Sequence, residues 1–364
     1  RYGENVVVDL SMTFLHGGLP RRHLTATWSA PATSRAKTDG LAGNELATCL
    51  LAMLADPNVR SKEDVIRRYD HEVQGGTVVK PMVGTRAQGP GDAAVIRPLD
   101  TSDSWQGFAL GAAFNPAYGD LDPYAMAISA IDEAVRNVVC VGADPDRTAI
   151  LDNFCWGNPG YPDRLGTLVR ALKGCYDGAM AYRTPFISGK DSLNNEYMDT
   201  VTGHQVSIPP SLLISSIGLM DDVRCACTSD LKTPGDAIYL LGETRAELGG
   251  SLYAALGHAE GFDPPGQARH GPAIARVLHR AIVESLVAAC HDCSEGGLGV
   301  ALAEMAMAGD LGAEVHVASM PWLTDQAGST DMLLFSESNG RYLVEVRETD
   351  RSAFESLIDG LPSA

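Results

Sequence analysis

The sequence predicts an α+β protein of more than one domain. Three observations carry this. Short apolar, β-rich runs alternate with helical stretches whose apolar positions recur every three to four residues. Those helical stretches carry start and stop signals. The 364 residues are also a prior for two or three domains of ordinary size, and 45% hydrophobic content with 20% charged residues supplies an ample core.

The elements fall into three blocks. Residues 1–85 begin with a strand-like run, Val6-Val7-Val8-Asp9-Leu10, then a polar loop from His16 to Asp39. A helix over Asn44 to Leu54 and a second short helix lead into Tyr69-Asp70-His71-Glu72-Val73-Gln74-Gly75-Gly76. This is too little for a domain and reads as the tail of one. Residues 86–230 open with a strand at Asp92-Ala93-Ala94-Val95-Ile96. A long helix from Asp122 to Val141 follows, with Asp122 as cap, Pro123 in its first turn and Gly142 just beyond its end. Thr148 to Leu151 is a strand, Pro162 to Tyr182 a helix, Pro185 to Ser188 a strand and Ser211 to Leu219 another.

The third block, residues 231–364, holds a strand at Ala237 to Leu241 and a helix after Gly249-Gly250. A long helix is expected from Pro272 to Cys290, then a glycine-rich turn at 291–297 leading into another helix. Strands around Glu314 to Val317 and Tyr342 to Val346 precede a last helix, Asp350 to Ile358. The chain begins at Arg1 rather than methionine and stops one turn after that helix with no closing strand, so it reads as a piece of a longer protein.

The formal net charge of −18 repels phosphate backbones and anionic membranes, which argues against nucleic-acid binding. A polyphosphate would need divalent cations held by carboxylates, together with backbone amides. The eight cysteines form no complete four-ligand zinc pattern, and a reducing cytoplasm without structural disulfides is the simplest reading. There is no signal peptide and no run of eighteen apolar residues.

Several segments could do chemistry. In Gly89-Pro90-Gly91-Asp92-Ala93-Ala94-Val95 an aspartate stands where the strand begins, though a turn aspartate accepting nearby amides is the ordinary alternative. Glu133 and Asn137 are four apart on one helix face. From the helix alone a solvated face is the better explanation, but the helix is rich in Ala, Ile and Val, and a covered carboxylate and amide suit a hard cation. Asp152 to Pro159 ends a strand in a polar loop, where ligands often bind, although an Asn-Pro turn explains half the pattern. Ser188-Gly189-Lys190-Asp191-Ser192 lacks the glycine spacing of a Walker loop but offers a glycine, a lysine and a serine for anion contact.

His291-Asp292-Cys293-Ser294-Glu295-Gly296-Gly297-Leu298 is the sharpest signal. Free amides at a helix N-terminus, two glycines and the Ser294 hydroxyl suit phosphate oxygens, with Asp292 and Glu295 holding a metal. A capping box starting at Ser294 would need Glu or Gln at position 297, which is glycine. Phe335 to Arg341 reads as an ordinary polar turn.

Together these segments resemble the synthetase portion of the phosphoribosylformylglycinamidine synthase family over essentially the whole chain. The match runs through Tyr69-Asp70-His71-Glu72-Val73-Gln74 with Val78-Val79-Lys80-Pro81, then Gly91-Asp92-Ala93-Ala94-Val95 and Glu133-Ala134-Val135-Arg136-Asn137. It continues through Asp152 to Pro159, Gly189-Lys190-Asp191-Ser192 and His291 to Leu298. Aminoimidazole ribonucleotide synthetase and selenophosphate synthetase share the fold but fit this order less well.

The resemblance implies an aminoimidazole-ribonucleotide-synthetase-like fold, a barrel-forming α+β domain followed by an α/β partner domain. Residues 1–85 would be the tail of the first half's partner domain, 86–230 the second half's barrel-forming domain, and 231–364 its partner domain, cut short at its end. It implies magnesium ligands at Asp92, Glu133, Asn137 and Asp292, nucleotide contacts at Asp152, Gly189, Lys190 and Ser294, and substrate contact at Ser192. Lys190 replaces a magnesium-coordinating asparagine of shorter family members; an ammonium pairs with phosphate instead. The implied activity is ATP- and ammonia-dependent conversion of formylglycinamide ribonucleotide to the amidine in the cytoplasm, with Mg2+ and ATP or ADP bound. The alternative is a pseudo-symmetric half holding a structural nucleotide. The catalytic histidine is expected in the absent first half, and a glutaminase would supply ammonia. Whether two copies pair through the barrel-forming domain is left open.

Overall fold

The computed structural model describes residues 1–18, 21–31, 35–100, 103–322 and 328–364. Its principal elements begin with helix α1 (Asn44–Leu54), strands β1 (Thr77–Val79), β2 (Ala94–Ile96) and β3 (Gly107–Phe114), and helix α2 (Pro123–Cys140). Strand β4 (Thr148–Cys155), helix α3 (Pro162–Tyr182), and strands β5 (Phe186–Ser192) and β6 (Ser211–Met220) follow. The six strands form one sheet in the order β1-β2-β3-β6-β4-β5. All neighbours are antiparallel except the β4–β5 pair, whose connection is the crossover helix α3.

Strand alternation decides which face of this sheet is covered. On β6, Leu212, Ile214 and Ser216 are buried while Leu219 is exposed; on β3, Ala109 and Ala113 are buried while Leu110 and Phe114 are exposed. The buried face packs on α2, where Ile131, Ala134 and Val135 share a core with Ile150, Phe154, Leu212 and Ile214. Gly111 makes the approach close: a Cβ there would stand 3.0 Å from that of Asn137. The Ser216 hydroxyl donates to the Ala134 carbonyl at 2.6 Å, tying helix to sheet. Asp122 caps α2 by accepting the Tyr124 N–H, as its sequence position predicts.

The second unit comprises strand β7 (Ala237–Leu241), helix α4 (Gly271–Val283), strand β8 (Ala289–Asp292), helices α5 (Gly297–Gly309) and α6 (Thr330–Phe335), strand β9 (Tyr342–Val346) and helix α7 (Arg351–Leu357). Its three strands are antiparallel in the order β7-β9-β8. Ile274, Leu278 and Ile282 of α4 and Tyr342 and Val344 of β9 join the core that α2 builds with the first sheet. Helix α2 is thus shared by both units, and every residue in it except Tyr124 and Glu133 is buried. The solvated-face reading fails for this reason at Asn137, while Glu133 is half-buried.

Other expectations need correction. The helix expected to reach Cys290 stops at Val283; Ser285 turns the chain with φ 62°, and Ala289 to Cys290 enter the sheet as β8. The apolar run there fits either element by pattern, and pairing with β9 decides it. Residues 6–10 and 314–316 are exposed and form no strand, having no partner edge against which to pair. Strand β5 extends through Ser192, so Gly189 to Ser192 lie in a strand and not after one. Strand β4 likewise contains Asp152 and Asn153, and the loop starts at Trp156. At the C-terminus, Ser363 bridges to Leu241, and the Leu240 N–H donates to the Ala364 carbonyl at 2.8 Å, so the last residues do close against β7. The polar loop from His16 to Asp39 falls partly outside the described residues. Helix α1 packs Cys49 and Met53 against Leu248, Leu252 and Val300 of the second unit.

Candidate active site: an acidic cavity between the two units

A cavity of about 780 Å³ opens where the start of β2, helix α2 and the β8–α5 turn converge. Asp92, Glu133, Asn137, Asp292, Ser294 and Glu295 all line it, so six of the ten residues singled out above meet there. Each is delivered by a local feature. Gly89 lets its segment run against α5, where a Cβ would fall 2.4 Å from that of Ala308, and Asp92 follows three residues later. Strand β8 ends at Asp292, and Gly296, in the left-handed conformation, turns the chain into α5.

Asp92 has one engaged and one idle oxygen. Its Oδ1 lies 2.8 Å from His291 Nδ1 and accepts the Asp292 backbone N–H at 3.1 Å. Its Oδ2 is buried with no hydrogen-bond partner. A buried carboxylate oxygen left without a donor is costly, and a cation is the natural partner. Among the described residues, Asp92, His291 and Asp292 are a group whose donor atoms lie within 4.8 Å of one another. The Asn137 amide donates to the Ala112 carbonyl at 2.9 Å, leaving its oxygen as acceptor. The donor set of three carboxylates and one amide oxygen is the hard, oxygen-rich chemistry that Mg2+ prefers.

The electrostatics point the same way. Burial, with Glu295 and Asp292 nearby, pushes Glu133 well above the usual carboxylate range. Burial and the neighbouring Glu337 push Glu295 up to about 7. Like charges crowded in a covered site raise one another in this way, and a divalent cation relieves them.

The sequence reading missed the groups that hold these carboxylates. Arg136, fully buried, reaches Asp132 at 2.6 Å and Asp292 at 2.5 Å, and its Nη1 also donates to Ser294 Oγ at 3.2 Å. Burial works against the guanidinium charge, and Asp292, Asp132 and Glu133 more than offset it. The i,i+4 pair Asp132–Arg136 on an otherwise apolar helix was the available signal. Burial likewise disfavours a charged His291, but Asp92 and Glu304 raise it well above the ordinary histidine value. Glu304 sits 3.1 Å from His291 Nε2. The expected free amides at the start of α5 are partly used: Gly296 N–H donates to Glu337 at 2.7 Å, and Gly297 N–H to the Ser294 carbonyl.

The remaining four residues lie elsewhere, on adjacent parallel strands of the first sheet. Asp152 stands opposite Gly189 in register, and a Cβ on Gly189 would fall 2.0 Å from Asp152 Oδ1. Lys190 donates to the Ser192 hydroxyl on the largely exposed edge strand β5. This patch does not line the cavity.

Two family descriptions match. Residues 90–211 match the N-terminal domain of AIR synthase related protein and residues 233–363 its C-terminal domain. The chain belongs to the AIR synthase related family. Within that family it is 37% identical over 347 residues to the phosphoribosylformylglycinamidine synthase subunit PurL of Trichormus variabilis, covering 91% of this chain and 42% of that protein. It is 38% identical over 332 residues to the PurL subunit of Deinococcus radiodurans, covering 88% and 41%. The chain therefore spans about two fifths of the length of the curated relatives it matches. Among solved structures, Thermotoga maritima PurL complexed with FGAR aligns with a TM-score of 0.62 at 18% identity, covering 86% of this chain and 47% of that one. The same protein complexed with ATP aligns at 0.62 and 17%, covering 88% and 46%. These likenesses establish the AIR synthase-like α+β fold. The resemblance read from the six motifs is borne out.

Proposed function

We propose that this chain is the second half of a phosphoribosylformylglycinamidine synthase, a carbon–nitrogen ligase of purine biosynthesis acting in the cytoplasm. The observation that carries it is the convergence of Asp92, Glu133, Asn137 and Asp292 on one cavity, with Asp92 Oδ2 buried and unpartnered. These residues would hold Mg2+, and the cation would neutralise phosphate charge that an acidic chain otherwise repels. Ser294 would contact the nucleotide there. The Thermotoga maritima relative, described with ATP, with ADP and with FGAR, supports a nucleotide and a ribonucleotide substrate as ligands of the whole protein. In that whole enzyme the formamide oxygen would be phosphorylated by ATP, and ammonia from a glutaminase partner would displace phosphate to leave the amidine. The structure of PurLQS from the same organism supports assembly with further subunits. No described helix is long and apolar enough to cross a membrane.

The division into 1–85, 86–230 and 231–364 belongs to this reading, with residues 1–85 donated by the first half. A second reading rests on the separation of the cavity from the Asp152, Gly189, Lys190 and Ser192 patch. That separation supports two sites served by one half: a Mg-nucleotide held structurally in the cavity, and substrate and nucleotide contacts from the patch to a centre completed by another half or another copy.

Thermal unfolding with ATP or ADP, with and without Mg2+, tests the proposal on the wild type and on Glu133→Gln. Binding to the native state raises the midpoint by mass action. A Mg-dependent rise that the variant loses supports the site. No rise, and no nucleotide released on denaturing the purified protein, would sink it; released nucleotide favours the structural reading.

A further inference from the structure

We propose that His291 is a positioning residue that fixes the Asp92 carboxylate for cation binding without touching the cation itself. The inference rests on the cation site proposed above and goes beyond it by assigning a role to a residue outside the four ligands. Both ring nitrogens of His291 face carboxylate oxygens: Nδ1 lies 2.8 Å from Asp92 Oδ1 and Nε2 lies 3.1 Å from Glu304 Oε2. Each ring nitrogen is thus engaged by a carboxylate oxygen and could turn to a cation only by giving up that contact. Although the Asp92, His291 and Asp292 donor atoms are close enough to surround an ion, the imidazole therefore serves the carboxylate instead.

The consequence falls on the other oxygen. His291 and the Asp292 N–H both hold Oδ1, which restrains the carboxylate, while Oδ2 is buried and unpartnered on a residue that lines the cavity. Glu304, from the third turn of α5, engages the ring's other nitrogen. The series Glu304–His291–Asp92 joins α5, β8 and the segment before β2, so the ligand's orientation depends on both units. Partners of this kind behind a metal ligand typically contribute about 10- to 100-fold in metal affinity.

Mn2+ serves as the probe, its affinity read by electron paramagnetic resonance on the 364-residue chain without nucleotide. His291→Leu should weaken Mn2+ by roughly 10- to 100-fold. His291→Gln, whose amide can still donate to Asp92, should recover part of that loss. The wild-type spectrum should show no directly coordinated nitrogen. Glu304→Ala, farther from the ligands, supplies an independent reading if His291→Leu fails to fold, and should also weaken Mn2+. Wild-type affinity in His291→Leu, or in Glu304→Ala where the leucine variant does not fold, overturns the proposal while leaving the cation site intact. A nitrogen coupling from a bound imidazole overturns it by making His291 a ligand. Absence of Mn2+ binding by the wild type overturns the cation site and this inference together.

Discussion

Glu337, in the turn before β9, accepts the backbone N–H of Gly296 at 2.7 Å and so fixes the start of helix α5 from 41 residues away. The same carboxylate accepts the Leu252 N–H at 2.9 Å and the Tyr118 hydroxyl at 2.5 Å. One buried side chain thereby ties the second unit's turns to the first unit and sets where Ser294 and Asp292 stand.

Glu337→Ala leaves two buried amides and a buried phenol without an acceptor. An unsatisfied buried group costs about 1–3 kcal/mol. The variant should lose at least about 2 kcal/mol, seen as a lower urea midpoint at unchanged slope. Glu337→Gln keeps one acceptor oxygen and should lose less.

Arg136 presents a different balance. Removing one partner of a buried ion pair typically costs about 3–5 kcal/mol because the other charge stays behind uncompensated. Arg136→Met strands both Asp132 and Asp292, which are buried. Equilibrium unfolding should show a loss of that order in metal-free buffer. Added Mg2+ should restore more stability to Arg136→Met than it adds to the wild type, since the cation then takes over part of the guanidinium's charge. Equal Mg2+ effects on the two proteins would separate Arg136 from the cation site.

Much of this was legible in the sequence, and what was not has physical causes. The capped helix after Asp122 and the motif carboxylates could be read because caps and short motifs are local. Strand β8 could not: its apolar residues suit a helix continuing from α4, and only pairing with β9 makes them a strand. Phe335 to Arg341 read as a plain polar turn, yet Ser336 to Arg341 are buried and Glu337 organises the site. Its partners lie 41, 85 and 219 residues away in the chain, and no local pattern carries that. The convergence of Asp92 with His291, 199 residues apart, is hidden in the same way, whereas Asp132 and Arg136 were visible as a helical pair whose burial was not.

Gly189 is expected to accept a side chain only if the Asp152 carboxylate gives way. Its Cβ would sit 2.0 Å from Asp152 Oδ1, so Gly189→Ala must displace that carboxylate or bend the β4–β5 pair. Overpacking in a well-packed core costs about 1–3 kcal/mol, and on this exposed strand the loss should lie at or below the lower end of that range. Asp152→Ala alone should be mild because the residue is only half-buried. Combining the two should recover most of the glycine variant's loss, since contacting residues do not add. Simple additivity in thermal midpoints would show that the clash is relieved elsewhere.

The pH dependence of stability should carry the signature of Glu295. Its carboxyl is raised from 4.5 to about 7, first by burial and then by Glu337. Between those values the native state binds more protons than the unfolded chain, so stability falls as pH rises. The contribution is fully present below about 4.5, the unfolded value, and is lost as the pH passes about 7. Glu295→Gln removes this proton. In metal-free buffer its stability should fall less than the wild type's between pH 5 and pH 8, and relative to the wild type the variant should gain on going to the higher pH. A wild-type slope that Glu295→Gln leaves unchanged would assign the titration to another of the carboxyls that burial raises there, Glu133, Asp292 or Glu337.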